Sequence, residues 1–418
     1  MQQFKKYDKY KNSGLDWLGD VPSGWEVKRW KDVGNLVLGK MLNNKPEIGY
    51  ELKSYLKSKN IGWLQIDSSS IEEMYFNKEE KRSYRVRKDD LLLSEGGEVG
   101  KTSIWNNEID ECYIQNSVHK ITLNSQNNPK FYLYFSYYLG FSNHYDSRVN
   151  IVSIKHLTKE KLVNINIIKP PLPTQIKIAE FLDTRAAAID AEIELLTTKA
   201  AKYKQLKQSL INQIVTKGLN LQSEMKDTEI DWIGSIPSSW KVRRGKEIFV
   251  ENPKSKITAN EGEKLGKYKF FTSSNVQSKW LDSWEYDKES ILFSTGGIAG
   301  VHYCDKEYSY STDTWSIYSL SNQVYLKYYS YYFQSILSTI KTLGFRGSGL
   351  EHLQKDFINQ SGLPLPPKAE QVQIVEYLDA KTGEIDNIIT AINDKISKLK
   401  QYRKVLINDV VNGKINVE

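Results

Sequence analysis

Apolar residues recur at every seventh position over two long stretches of this 418-residue chain. In the first, Leu182, Ile189, Leu196, Tyr203 and Leu210 fall seven apart, with Ala186, Ile193, Ala200 and Ile214 four residues after their partners. In the second, Leu378, Ile385, Ile392, Leu399 and Leu406 repeat the spacing, with Ile389, Ile396 and Val410 similarly placed. An apolar seam sustained over about four heptads predicts a coiled coil. Neither stretch has another evident partner, so the two are paired with each other. The first leaves one globular region for the next and the second runs back, which makes the pairing antiparallel. Each follows a proline knot, Pro170-Pro171-Leu172-Pro173 or Pro364-Leu365-Pro366-Pro367, as suits a helix start.

Ahead of each knot lies a region of different rhythm. A Gly/Pro/Trp-rich opening leads to β-leaning runs such as Asp90–Leu93 and Ser290–Phe293, ended by glycines, and then to a Tyr-rich helix. The order is the same twice. Leu15-Asp16-Trp17-Leu18-Gly19-Asp20-Val21-Pro22 matches Ile230-Asp231-Trp232-Ile233-Gly234-Ser235-Ile236-Pro237. Leu92-Leu93-Ser94-Glu95-Gly96-Gly97 matches Leu292-Phe293-Ser294-Thr295-Gly296-Gly297. Ser136-Tyr137-Tyr138 matches Ser330-Tyr331-Tyr332, and Gln175–Asp183 matches Gln371–Asp379. Four matched blocks in one order make the chain a tandem duplication. The expected fold is α+β: two similar mixed α/β domains joined by two long antiparallel helices in a coiled-coil rod with pseudo-two-fold symmetry. The expected boundaries are 1–168, 169–220, 221–362 and 363–418.

Composition narrows the classes further. No apolar run is long enough to span a membrane and no apolar stretch follows the first lysines, so the expectation is a cytoplasmic protein. Two cysteines, Cys112 and Cys304, make neither a disulfide framework nor a four-ligand zinc site. A formal charge of +7 favours an anionic partner. Most of the 26 tyrosines and 10 tryptophans are expected in cores, with a few left to stack on bases.

Catalytic signatures are missing. Ser94-Glu95-Gly96-Gly97-Glu98-Val99-Gly100-Lys101-Thr102 ends like a phosphate-binding loop, but Glu95 stands where that loop needs glycine, and its repeat has lost the lysine. The glycines there serve either a flexible turn or main-chain contact with a DNA backbone. The five histidines lack metal-ligand spacing, and no nucleophile elbow or zinc-protease pattern occurs. A binding or scaffolding role is therefore favoured. A pair of protein-binding heads and a cryptic nuclease are the other readings.

The segment Tyr10-Lys11-Asn12-Ser13-Gly14-Leu15-Asp16-Trp17-Leu18-Gly19-Asp20-Val21-Pro22-Ser23-Gly24-Trp25 resembles the opening of type I restriction-modification specificity subunits. The proline knots followed by Gln175 or Glu370-Gln371 resemble the spacers of that family. The first spacer departs from the pattern, with Thr174 where the family carries glutamate. The resemblance implies that each head reads one half of a bipartite, asymmetric DNA target. It implies that the rod sets the spacing and docks two methyltransferase subunits and ATP-dependent restriction subunits. S-adenosylmethionine, ATP and Mg then belong to those partners, and this chain holds no cofactor, metal or catalytic residue.

Candidate DNA contacts fall in three clusters per head. The glycine turns offer Ser94, Gly96, Gly97 and Lys101, and Ser294, Thr295, Gly296 and Gly297. The polar tips after Tyr113 and Tyr310 offer Gln115 and Asn116 against Thr312 and Asp313; Gln and Asn favour adenine edges and Asp accepts from cytosine. The donor-rich loops before the knots offer Arg148, Asn150, Ser153, Lys155 and His156, and Arg346, Ser348, Glu351, His352 and Lys355.

Overall fold

The computed structural model describes residues 4–146 and 156–417. They form two compact units. One runs to Leu195 and resumes at Lys395; the other is Leu196–Asp394.

The first unit begins with the short ladder Tyr10–Asn12 against Asp20–Pro22, turned by Gly14 and Gly19 at φ of +74° and +70°. The next strand, Glu26–Arg29, pairs antiparallel with Asn166–Lys169, which closes the head just before the first proline knot. Between these ends lies an antiparallel four-stranded sheet in the order Gly34–Leu38, Val118–Leu123, Leu91–Ser94, Thr102–Ile104. A three-stranded sheet pairs Glu51–Leu56 with Glu72–Phe76 on one side and, in parallel, with Tyr113–Ile114 on the other. Leu91, Leu92 and Leu93 are all fully buried, so the strand is covered on both faces, which its unbroken apolar run requires.

The second unit repeats this topology. Met225–Asp227 pairs with Ser235–Pro237, and Lys241–Arg244 with Gly362–Leu365. The four-stranded order is Val250–Glu251, Thr314–Tyr318, Ser290–Ser294, Val301–Cys304. Tyr268–Phe271 pairs with Lys279–Leu281 and, in parallel, with Tyr308–Tyr310. The expected duplication is thus present strand by strand.

Each head docks on the long helices through its Tyr-rich helix, Pro129–Phe141 or Leu326–Ser335. Tyr132, Tyr328, Tyr329 and Tyr332 are fully buried, as the core reading of the tyrosines expected. Tyr134 Oη donates to Asp183 at 2.9 Å, and Tyr331 Oη donates to Asp379 at 2.8 Å. Lys130 and Lys327 pair with the same two aspartates. At the foot of each helix a buried glutamine closes the joint. Gln175 Oε1 accepts from Asn128 N–H and its Nε2 donates to the Pro170 carbonyl; Gln371 does the same with Tyr325 and Pro366.

The long helices are Leu172–Lys217 and Lys368–Val411. Their heptad positions turn inward: Leu182, Ala186, Ile189 and Ala200 are buried on one helix, and Leu378, Ile385, Ile392, Leu406 and Val410 on the other. Within the first unit Asp190 pairs with Arg403, and within the second Lys207 pairs with Asp386 at 2.6 Å. Rising numbers on one helix meet falling numbers on the other, so both stretches run antiparallel. Gly218 and Gly413, at φ of +73° and +71°, end the helices beside Trp240 and Trp25. A left-handed residue in that position closes a helix end, and glycine adopts it without a Cβ penalty.

Candidate nucleic-acid interface

A strand that ends at a sheet rim leaves backbone groups to be satisfied by whatever loops reach it. In the first head the strand Leu91–Ser94 runs out at Glu95. The Glu95 N–H donates to the Ser117 carbonyl at 2.9 Å, and its carbonyl accepts from the Leu157 N–H at 2.8 Å. Gly96 bridges to His156, and His156 Nδ1 lies 2.8 Å from Glu95 Oε2. Three segments far apart in sequence, at Glu95–Gly97, Gln115–Ser117 and His156, therefore meet at one rim.

The second head builds the same junction with different side chains. Thr295 N–H donates to the Asp313 carbonyl at 3.0 Å and Thr295 O accepts from Leu353 N–H at 2.8 Å, while Gly296 bridges to His352. A cavity of about 200 Å³ opens there, lined among others by Thr295, Thr312, Trp315, His352 and Lys355. Lys355 pairs with Glu251 and sits 5.6 Å over the Trp315 ring.

Several expected contacts need correction. Ser94 and Ser294 are each 1 % exposed. Their hydroxyls donate to the Gly96 carbonyl at 2.8 Å and the Ser274 carbonyl at 2.9 Å, so they brace turns and reach no ligand. Gly96 is buried, which leaves Gly97, exposed at φ +74°, as the outer glycine of that turn. In the second head Gly296 N–H is taken by Ser273 Oγ and Gly297 N–H by the Glu351 carbonyl. Those two amides are not available to a phosphate. Lys101 is engaged by Glu98.

Thr102 is fully buried, donating to the Gly100 carbonyl and sharing a hydrogen bond with Ser136 at 2.6 Å. The Gly-Lys-Thr ending is therefore a packed corner. Gln115 is folded onto its own turn, its Oε1 accepting from the Ser117 N–H and hydroxyl and its amide donating to Asn116.

Asn116, Thr312 and Lys355 are half-buried, while Asp313, His156 and His352 are exposed. Arg346 is exposed too, with Nη1 held by the Thr342 and Phe345 carbonyls. Ser348 lies between Gly347 and Gly349, both at positive φ. Arg148, Asn150, Ser153 and Lys155 lie outside the described residues.

Two residues were missed by sequence reasoning. Glu95 counted only as a flaw in a phosphate loop, although it ties all three segments together. His119, fully buried, bonds the Leu157 carbonyl through Nε2 at 2.7 Å and so supports the same rim from below. Its only signal in the sequence was a histidine inside an apolar strand. Among the described residues no group of three or more His, Cys, Asp or Glu is placed to hold a metal, and no helix is long and apolar enough to cross a membrane.

The family profile for the type I restriction modification DNA specificity domain matches this chain twice, over residues 22–202 and 237–398. The chain belongs to that family. It is a type I specificity subunit with two target-recognition domains. It is similar along its whole length to the putative type I restriction enzyme MjaX specificity subunit of Methanocaldococcus jannaschii, at 24 % identity over 100 % of this chain and 99 % of that one. The type I restriction enzyme EcoDI specificity subunit of Escherichia coli is 24 % identical over 44 % of this chain and 40 % of its own length.

Among solved structures, a chain described in work on complex assembly and conformational transition of the type I R-M system superposes with a TM-score of 0.72. It has 14 % identity and covers 94 % of this subunit and 98 % of its own chain. The HsdS subunit from Thermoanaerobacter tengcongensis superposes at 0.53, with 15 % identity and coverages of 94 % and 98 %. At these identities the likeness carries the fold of the specificity subunit.

Proposed function

We propose that the two heads, residues 1–168 and 221–362, each read one half of a bipartite, asymmetric DNA target. The paired helices set the number of unread base pairs between the halves and dock methyltransferase and restriction subunits. The observation that carries this reading is a shared scaffold with unlike tips. Both heads hold the same strand end with the same backbone bonds, yet offer Glu95, Asn116 and Ser117 in one and Thr295, Thr312 and Asp313 in the other. Identical heads would demand a palindrome; unlike heads read two unrelated half-sites.

The contact set proposed from the structure is Gly97, Asn116 and His156 with Thr312, Asp313, Arg346, Ser348, His352 and Lys355. S-adenosylmethionine, ATP and Mg sit on the partner subunits, and the assembly works in the cytoplasm where chromosomal DNA is reached. Replacing residues 225–362 with the matching domain of a relative tests the reading. Methylation mapping of the host genome is expected to show one altered half-site and one unchanged. A chimera in which both halves change together would remove independent reading by two heads.

A further inference from the structure

The rim of the first head carries an arrangement that the second lacks. The Glu95 side chain is recessed, 13 % exposed, whereas that of His156 is 52 % exposed. A carboxylate only accepts hydrogen bonds, so the imidazole nitrogen facing it, Nδ1, carries the proton of the neutral ring. Nε2 is left as an acceptor on the more exposed partner. In the second head the position of Glu95 is Thr295, held by equivalent backbone bonds, and among the described residues no carboxylate bonds the His352 ring.

An acceptor nitrogen backed by a carboxylate is repelled by phosphate. Base edges are the other ligands a DNA duplex offers. In the major groove their exocyclic donors are the amino groups of adenine N6 and cytosine N4.

Resting on the reading above, we propose that His156 selects one base of the first half-site by accepting a hydrogen bond from its exocyclic amino group, and that Glu95 is the positioning residue that holds His156 in the accepting tautomer. The step involves no covalent change. It makes the first head discriminate at a position where the second, with Thr295 and an unfixed His352, does so differently.

The test uses the full chain assembled with its cognate methyltransferase subunits. Methylation mapping of the wild type first defines the two-part target; absence of any two-part motif would fell the underlying reading rather than this one. Synthetic duplexes are then methylated in which each adenine or cytosine of the first half-site, other than the base that accepts the methyl group, is replaced by its analogue lacking the amino group.

At one position the wild type is expected to lose about tenfold or more in rate, the size of a good base contact. His156→Ala and Glu95→Thr are expected to show no further loss there. Glu95→Gln, whose carbonyl oxygen still accepts from Nδ1, is expected to keep the dependence. Which analogue acts distinguishes adenine from cytosine. A merely structural role for Glu95 would lower rates on all duplexes alike. The proposal is overturned if His156→Ala loses as much as the wild type at every substituted position, or if Glu95→Gln behaves like Glu95→Thr.

Discussion

Gln175 and Gln371 each use both ends of the side-chain amide inside the protein, at 0 % exposure. Each clamps the start of its head's Tyr-rich helix to the proline knot that opens a long helix. Removing the amide strands a buried N–H and a buried carbonyl, at about 1–3 kcal/mol for an unsatisfied group. Gln175→Ala and Gln371→Ala are therefore expected to lower the stability of the full chain by similar amounts in urea titrations.

His119 gives a pH-dependent counterpart. Burial holds its pKa below the usual 6.5, because the charged ring is poorly solvated there. The folded state thus prefers the neutral ring. Its contribution is fully present above the unfolded value and is lost as the pH falls below it. Thermal unfolding is expected to show wild-type stability declining as the pH falls through and below about 6.5, and His119→Gln is expected to flatten that decline. The partners of such residues were not legible in the sequence. A glutamine's partner lies 47 positions away and a histidine's 38, and no local pattern records either distance.

The helices are the opposite case. Their seam repeats every seven residues, so burial at Ile189 or Ile385 follows from the chain's own period. Strand pairing was less readable: that Glu26–Arg29 finds Asn166–Lys169 across the whole head depends on tertiary closure. Whether the glycine turns present free amides was left open by the sequence, and in the second head Ser273 and Glu351, from loops elsewhere, take the Gly296 and Gly297 amides.

The seam also ranks substitutions. Ile392 is 8 % exposed, and Ile392→Asp buries an unpaired carboxylate at a cost of about 3–5 kcal/mol. Lys207→Ala removes a partly exposed ion pair and is expected to cost about 1 kcal/mol or less. Calorimetry of the two variants is expected to show a large drop in melting temperature for the first and a small one for the second. Similar drops would contradict the buried seam.

For the whole chain, the helices number 46 and 44 residues, or about 69 and 66 Å at 1.5 Å per residue. If they set the gap between half-sites, one heptad inserted after Thr197 and another after Asn393 keeps the seam in register. The added length is about 10 Å, close to three base pairs. Methylation mapping is expected to return the same two half-sites with a longer gap. An active variant with an unchanged gap would contradict the spacing role.

The ion pairs along the seam have a consequence of their own. Each long helix carries an aspartate and, seventeen residues later, a cation: Asp190 with Lys207, and Asp386 with Arg403. The aspartate of each helix meets the cation of the other. Such a lock is self-complementary, in the manner of an isologous contact, so either helix would satisfy a second copy of itself as well as its neighbour. Charge alone does not choose between them. The choice falls to tethering, which holds the two helices of one chain at an effective concentration on the order of millimolar. Chains crowded above that level while folding would exchange helices and emerge as swapped dimers, each helix correctly locked but to the wrong molecule.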